Sequence, residues 1–157
     1  MALGSILASQ GLPSGDFAII TALHCLSVMT FMFSWNALND YMDIEIDRIN
    51  RPDRPLPSGE ISDVAARRGI LTTAVLSASF LIVAAYVSHS GEIGLDGWIP
   101  SLAIWMMALL LLFNYESPSK LSFRMKDRGL PGNLAISMSV GLVIIFGEAS
   151  VSDPLDK

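Results

Sequence analysis

Asn36, Asn39, Asp40, Asp43 and Asp47 recur at intervals of three and four residues. Helical neighbours have that spacing, so one helix face carries all five over about three turns. The stretch from Asn36 to Asp47 contains no helix breaker and is predicted to be continuous helix. Leu38, Tyr41, Met42, Ile44 and Ile46 cover the other sides, and Glu45 points away from the stripe towards solvent. The carboxylates of Asp40, Asp43 and Asp47 repel one another. An ionised Asp at the centre of a bilayer costs about 2.5–3.5 kcal/mol on insertion scales, and less near the interface. A bound cation relieves both costs. Carboxylate and amide oxygens are hard ligands, which points to Mg²⁺. Mg²⁺ keeps coordination positions for water or phosphate oxygens, so it would bridge the stripe to a diphosphate. A solvated helix end just outside a membrane accounts for the same residues. A calcium loop does not, since no Gly sits at the turn position.

A basic, proline-rich segment follows, from Arg48 to Gly59. Pro52, Pro55 and Pro57 end the helix and stiffen the loop. Arg48, Arg51 and Arg54 come directly after the acids. The planar guanidinium fork suits phosphate oxygens, and a metal held beside arginines is what a diphosphate site needs. Arginines at a membrane surface also meet anionic headgroups and set topology. Both readings stand on sequence alone. Ser62 is the expected N-cap of the next helix.

These residues must be positioned by membrane helices. The 157 residues are 52% hydrophobic and 16% charged, against about 25% charged in a soluble domain. Uncharged runs cover Phe17–Asn39, Gly69–Gly91, Gly97–Tyr115 and Gly129–Gly147, with 23, 23, 19 and 19 residues. At about 1.5 Å per residue, 19 residues reach roughly 28 Å, close to a hydrocarbon core of about 30 Å. The expected fold is an all-α, polytopic transmembrane bundle. A single domain over 1–157 carries four full spans, at about 17–39, 66–88, 98–115 and 131–147, after an N-terminal helix remnant. The remnant has no basic flank and does not read as a signal peptide. The net charge of −5 excludes a nucleic-acid binder of the usual basic kind.

The basic residues fix an expected orientation. Arg48, Arg51, Arg54, Arg67 and Arg68 lie between the first two spans, and Lys120, Arg124, Lys126 and Arg128 between the last two; only Lys157 lies elsewhere. The positive-inside rule places both loops, about 40–65 and 116–130, in the cytoplasm. The protein is then a multi-pass protein of the cell membrane with its acidic stripe on the cytoplasmic side. The two basic loops also echo each other, Asp53-Arg54-Pro55-Leu56-Pro57-Ser58-Gly59 against Asp127-Arg128-Gly129-Leu130-Pro131-Gly132. Among the remaining residues, Cys25 is expected to fill core. His24 is expected to bond a neighbouring helix, and Ser77, Ala78 and Ser79 to permit close helix contact.

Asn39-Asp40-x-x-Asp43-x-x-x-Asp47, with Asp47-Arg48-Ile49-Asn50-Arg51-Pro52 and Arg54-Pro55-Leu56-Pro57-Ser58-Gly59, resembles the first signature of the UbiA-type intramembrane prenyltransferases. Within that superfamily the chain looks most like the archaeal geranylgeranylglycerol-phosphate geranylgeranyltransferases. Arg124-Met125-Lys126-Asp127-Arg128-Gly129-Leu130-Pro131-Gly132-Asn133 is similar to their L-K-R-x-G-x-x-G-N segment, and the likeness runs from about Gly4 to Gly147. The resemblance implies nine membrane helices around a cavity that holds a prenyl diphosphate, with Mg²⁺ shared by two Asp-rich motifs. It implies Asn39, Asp43 and Asp47 as the metal face with Asp40 beside them. Arg54 and Lys126, with Tyr115, Lys120 and Asn133, would serve the diphosphate or acceptor, along with Asn36, Arg48 and Arg51 from the stripe and its loop. Tyr115 opens a Tyr-Glu-Ser-Pro segment where the family often has Tyr-Ser-x-Pro.

The chain departs from that pattern at both ends. It starts late in the family's first helix, and the second Asp motif would fall after Lys157. Asp153 and Asp156 are on the opposite predicted face and do not replace it. The expected reaction is transfer of a geranylgeranyl group from its diphosphate to a lipid acceptor, geranylgeranylglyceryl phosphate, in ether-lipid synthesis. The expected partners are those two substrates, membrane lipids and, if the chain is part of a split enzyme, a second chain with the missing half. An inactive fragment and a non-enzymatic cation-binding membrane protein are the alternatives. A transport path would want polar groups at mid-membrane on several spans, and apart from His24 and scattered Ser and Thr the sequence lacks them.

Overall fold

The computed structural model describes residues 6, 15–90, 98–116, 121 and 123–149, without the side chains of 89 and 90. Those residues form helices α1 (Asp16–Met42), α2 (Ile44–Asn50), α3 (Asp63–Ser90), α4 (Ile99–Glu116) and α5 (Leu130–Ala149), with a 3₁₀ turn at Met125–Arg128. No strand occurs among them. Four of the helices, α1, α3, α4 and α5, are long and apolar enough to cross a bilayer. Of the N-terminal remnant, only Ile6, which is helical, is among the described residues. Contacts divide the chain into two units. One is Leu26–Phe80; the other comprises the described residues of Met1–Cys25 and Leu81–Lys157.

In the Leu26–Phe80 unit, α1 and α3 run antiparallel along a seam of small polar side chains. Ser27 Oγ donates to the Ser77 carbonyl at 2.9 Å, and Ser77 Oγ returns a bond to the Ser27 carbonyl at 2.9 Å. Ser34 Oγ donates to the Ile70 carbonyl at 2.9 Å, and Tyr41 Oη donates to Asp63 Oδ1 at 2.6 Å. The pairs 27–77, 34–70 and 41–63 step seven residues along each helix in opposite directions. Seven residues are two turns, so every step returns to the same face. Apolar chains gain nothing by leaving lipid for one another, so small residues that admit close backbones and cross-helix hydrogen bonds hold such a pair. Ser27 and Ser77 are fully buried. Of the three small residues expected to matter, Ser77 faces the seam, whereas Ser79 Oγ bonds its own helix at Val75.

The helix expected to be continuous through Asp47 is interrupted. α1 stops at Met42, and Asp43 (φ −93°, ψ 7°) links it to α2. The backbone bonds Asp43 N to Asn39 O (3.0 Å) and Asp47 N to Asp43 O (2.9 Å) carry the chain across the joint. Asn and Asp compete with the backbone for its own hydrogen bonds and are weak helix formers, so their density here permits a bend without Pro or Gly. Beyond α2, the prolines yield a run of turns closed by Ser58 N to Arg54 O (2.9 Å) and Ile61 N to Pro55 O (2.9 Å). Ser62 caps α3 as expected: its Oγ accepts from Ala65 N at 3.2 Å.

In the other unit α4 packs on α5, and the 3₁₀ turn packs on both. Gly132 makes that fit possible. A Cβ there would lie 2.6 Å from the Met125 carbonyl oxygen, inside contact distance with backbone. Gly129 (φ +62°) supplies the left-handed residue before α5. Trp98 Nε1 donates to the Leu81 carbonyl at 3.2 Å, which ties the start of α4 to α3. Among the described residues His24 bonds within its own helix rather than to a neighbour. Its Nδ1 donates to the Ile20 carbonyl at 2.8 Å, and its ring leans on Phe146 with centroids 4.7 Å apart. The two basic loops that echo each other in sequence therefore differ in conformation, turns in one and a 3₁₀ turn against a helix pair in the other.

Candidate functional site

The proline turns bring Arg54 back onto the helix it has just left. Arg54 Nη1 donates to Asp47 Oδ2 at 2.7 Å and to Asp40 Oδ1 at 3.2 Å. One guanidinium nitrogen, Nη1, thus answers two carboxylates from α1 and α2. Asp47 is 7% exposed, whereas Asp40 is open to solvent. All three line a cavity of about 440 Å³, whose other walls include Ala37, Leu56, Pro57, Ile61 and Gly69. Charge sits on one wall and apolar surface on the rest.

The remaining stripe and loop residues are placed differently. Asn36 is exposed; Asn39 and Asp43 are half-buried and do not line that cavity. Arg48 pairs with Glu45 at 2.6 Å on the exposed side of α2, so Glu45 is solvated as expected but holds a partner. Arg51 is exposed, and its backbone N–H closes α2 on the Asp47 carbonyl at 2.7 Å. Asp40 and Asp47 are seven residues, two turns, apart and so share the face that meets the arginine. Asn39 and Asp43 lie to one side of it.

A second polar group, absent from the expectations, pins the ends of α1 and α3. Tyr41 Oη donates to Asp63 and accepts from Arg67 Nε at 2.8 Å, while Arg67 Nε also pairs with Asp63 Oδ2 at 3.0 Å. The guanidinium lies 5.5 Å from the Tyr41 ring centroid. The signal was a Tyr inside the acid stripe, read only as cover for its apolar side.

In the other unit, Lys126 Nζ bonds Glu116 Oε1 at 2.5 Å. The pair is nearly dry, with side-chain exposures of 17% and 2%. Glu116 was missed in sequence, although an acid ending an apolar run ten residues before a lysine is a usable cue. Tyr115 beside it is half-buried, and Asn133 is exposed in the first turn of α5. Arg124 pairs with Asp127 at 3.0 Å. Lys120 lies outside the described residues.

The donor chemistry of Asn39, Asp43 and Asp47 fits a hard divalent cation in kind. In number it supplies part of a coordination shell. Among the described residues no group of three or more His, Cys, Asp or Glu side chains converges on a metal position. Asp47 meets Arg54 instead.

The sequence matches the UbiA prenyltransferase family over residues 1–156. It is 34% identical to the digeranylgeranylglyceryl phosphate synthase of Methanothermobacter thermautotrophicus, over 88% of this chain and 42% of that protein. It is 35% identical to the synthase of the same name from Haloquadratum walsbyi, over 96% of this chain and 47% of that one. The Thermococcus kodakarensis synthase is 32% identical over 96% and 47%. The chain thus spans less than half the length of these curated relatives. No solved structure matches. A match along almost the whole chain, together with four membrane-length helices and the acid stripe on the first of them, places this chain in the UbiA prenyltransferase family.

Proposed function

We propose that this chain provides the diphosphate-binding half of a geranylgeranyl transfer site. The donor is geranylgeranyl diphosphate, and the acceptor is geranylgeranylglyceryl phosphate, as the names of the relatives suggest. The observation that carries the proposal is the Arg54 guanidinium set between Asp40 and Asp47 on the charged wall of an otherwise apolar cavity. An amphiphile with a diphosphate head and a hydrocarbon tail has that polarity.

Each residue then has a task. Asn39, Asp43 and Asp47 would hold Mg²⁺, supplying part of its oxygen ligands. When bound, the ion would shield the charge that grows on the leaving diphosphate. Arg54 turns its fork from the carboxylates to phosphate oxygens and orients the head group. Lys126, with Tyr115, Lys120 and Asn133, serves the diphosphate or the acceptor from the second basic loop. The C1–O bond of the prenyl diphosphate breaks with its electron pair on oxygen. The acceptor hydroxyl oxygen then bonds to C1 and gives its proton to an oxygen of the released diphosphate. Apolar walls keep water from trapping the allylic cation. The site works at the cytoplasmic face of the cell membrane, where the basic loops lie under the positive-inside rule. The remaining half comes from further residues on the same polypeptide or from a second chain.

The test is a membrane assay with labelled geranylgeranyl diphosphate and the glyceryl phosphate acceptor, with the second half of a relative co-expressed. Product should depend on Mg²⁺ and fall about 10²–10³-fold in Asp43→Asn, the range for losing one preorganised electrostatic contact. Equal product from wild type and Asp43→Asn overturns the assignment of that carboxylate.

A further inference from the structure

We infer that Glu116 is the positioning residue for Lys126: it holds the ammonium at the fixed point from which Lys126 meets phosphate oxygens. This rests on the reading of Lys126 as a diphosphate or acceptor contact.

The geometry supports the inference in three ways. Glu116 ends α4 and is 2% exposed, so its carboxylate has given up water. Such a burial is tolerable only beside a cation, and Lys126 Nζ stands 2.5 Å from Oε1. Lys126 belongs to the 3₁₀ turn, whose approach to α5 is fixed by Gly132. The backbone under the lysine is therefore set by one contact and its head by another. A lysine on four rotatable bonds carries about 2 kcal/mol of rotamer entropy, and one anchored in advance has less to lose on meeting a ligand. Finally, Glu116 Oε2 is buried and has no hydrogen-bond partner among the described residues. A carboxylate kept only to bridge two helices would be expected to use both oxygens. Here one oxygen takes the ammonium and, among the described residues, the other meets no donor, so Lys126 is the cation this carboxylate is seen to hold.

The test uses the full chain in lipid nanodiscs with inorganic diphosphate and Mg²⁺, titrated by calorimetry. Four proteins are compared with wild type: Glu116→Gln, Lys126→Gln, the double variant, and Glu116→Asp. The double variant leaves no unpaired buried charge and so guards against a folding failure. Glu116→Gln should bind diphosphate about tenfold more weakly, a change of about 1.4 kcal/mol. Lys126→Gln should lose at least as much. The double variant should be no worse than Lys126→Gln, because the carboxylate acts only through the lysine. Glu116→Asp should recover most of the affinity. Losses that add in the double variant, or a Glu116→Gln protein that binds like wild type while Lys126→Gln does not, overturn the positioning role and leave the diphosphate reading standing. A double variant that binds like wild type, or a wild type that binds no diphosphate, overturns the diphosphate reading itself.

Discussion

Arg54 and Lys126 each follow a long apolar helix, and each ends on a carboxylate, but the two pairs live in different solvents. Arg54 is 39% exposed and divides itself between Asp47 and the open Asp40. Lys126 is 17% exposed and bonds Glu116, which is almost fully buried. An exposed pair is worth about 0–1 kcal/mol, because water competes for both ions. A buried pair gains little over an apolar one, yet breaking it strands a charge. The first arrangement is easily exchanged for a ligand, and the second is held. An exchangeable arginine beside carboxylates suits a site that must admit a metal and a diphosphate. A held lysine suits a fixed contact on the same kind of ligand.

The comparison can be broken by substitution. The largest effect is expected from Lys126→Met, which leaves the Glu116 carboxylate buried without a cation. It should destabilise the chain by about 3–5 kcal/mol, seen as a lower unfolding midpoint in detergent titrations. Gly132→Ala tests the scaffold under the same lysine. Its Cβ would meet the Met125 carbonyl at 2.6 Å, and relief of that contact should cost about 1–3 kcal/mol in the same titration. Arg54→Met removes a hydrated pair with Asp40 but leaves Asp47, 7% exposed, without its cation, and should cost about 1–3 kcal/mol, less than Lys126→Met. It should also weaken diphosphate binding. A destabilisation by Arg54→Met equal to that of Lys126→Met would erase the distinction between the two regions. The smallest effect is expected at the seam of the Leu26–Phe80 unit. Ser77→Ala removes a hydroxyl that donates to Ser27 at 2.9 Å and should cost about 0.6 kcal/mol, as polar contacts between membrane helices do on average.

The helices were legible because length is a strong constraint in a bilayer: an uncharged run of 19 residues has few other uses. The acid stripe was legible because three- and four-residue spacing maps directly onto a helix face. The break at Asp43 was not, since no Pro or Gly marks it. Asp40 and Asp47, two turns apart, meet the arginine, and Asn39 and Asp43 lie beside them on the helix. The Arg54 contact was hidden for a different reason: three prolines announce a turn but not the direction in which it returns. Glu116 escaped notice because an acid ten residues before a lysine is a cue but does not say that the two meet; the pair forms when the 3₁₀ turn packs on α4. The seven-residue seam was half visible, as Ser77 stood out as small while its partner Ser27 did not.

The central claim is that the oxygen-bearing end of α1 and α2 takes a divalent cation together with diphosphate. The direct test is Mn²⁺ binding, followed by paramagnetic resonance, to the full chain in nanodiscs with and without inorganic diphosphate. The account predicts tighter Mn²⁺ binding when diphosphate is present, and a loss of at least about tenfold in Asp43→Asn, in line with what removal of a metal-supporting group costs. Mn²⁺ binding that ignores diphosphate and is the same in wild type and Asp43→Asn would contradict it.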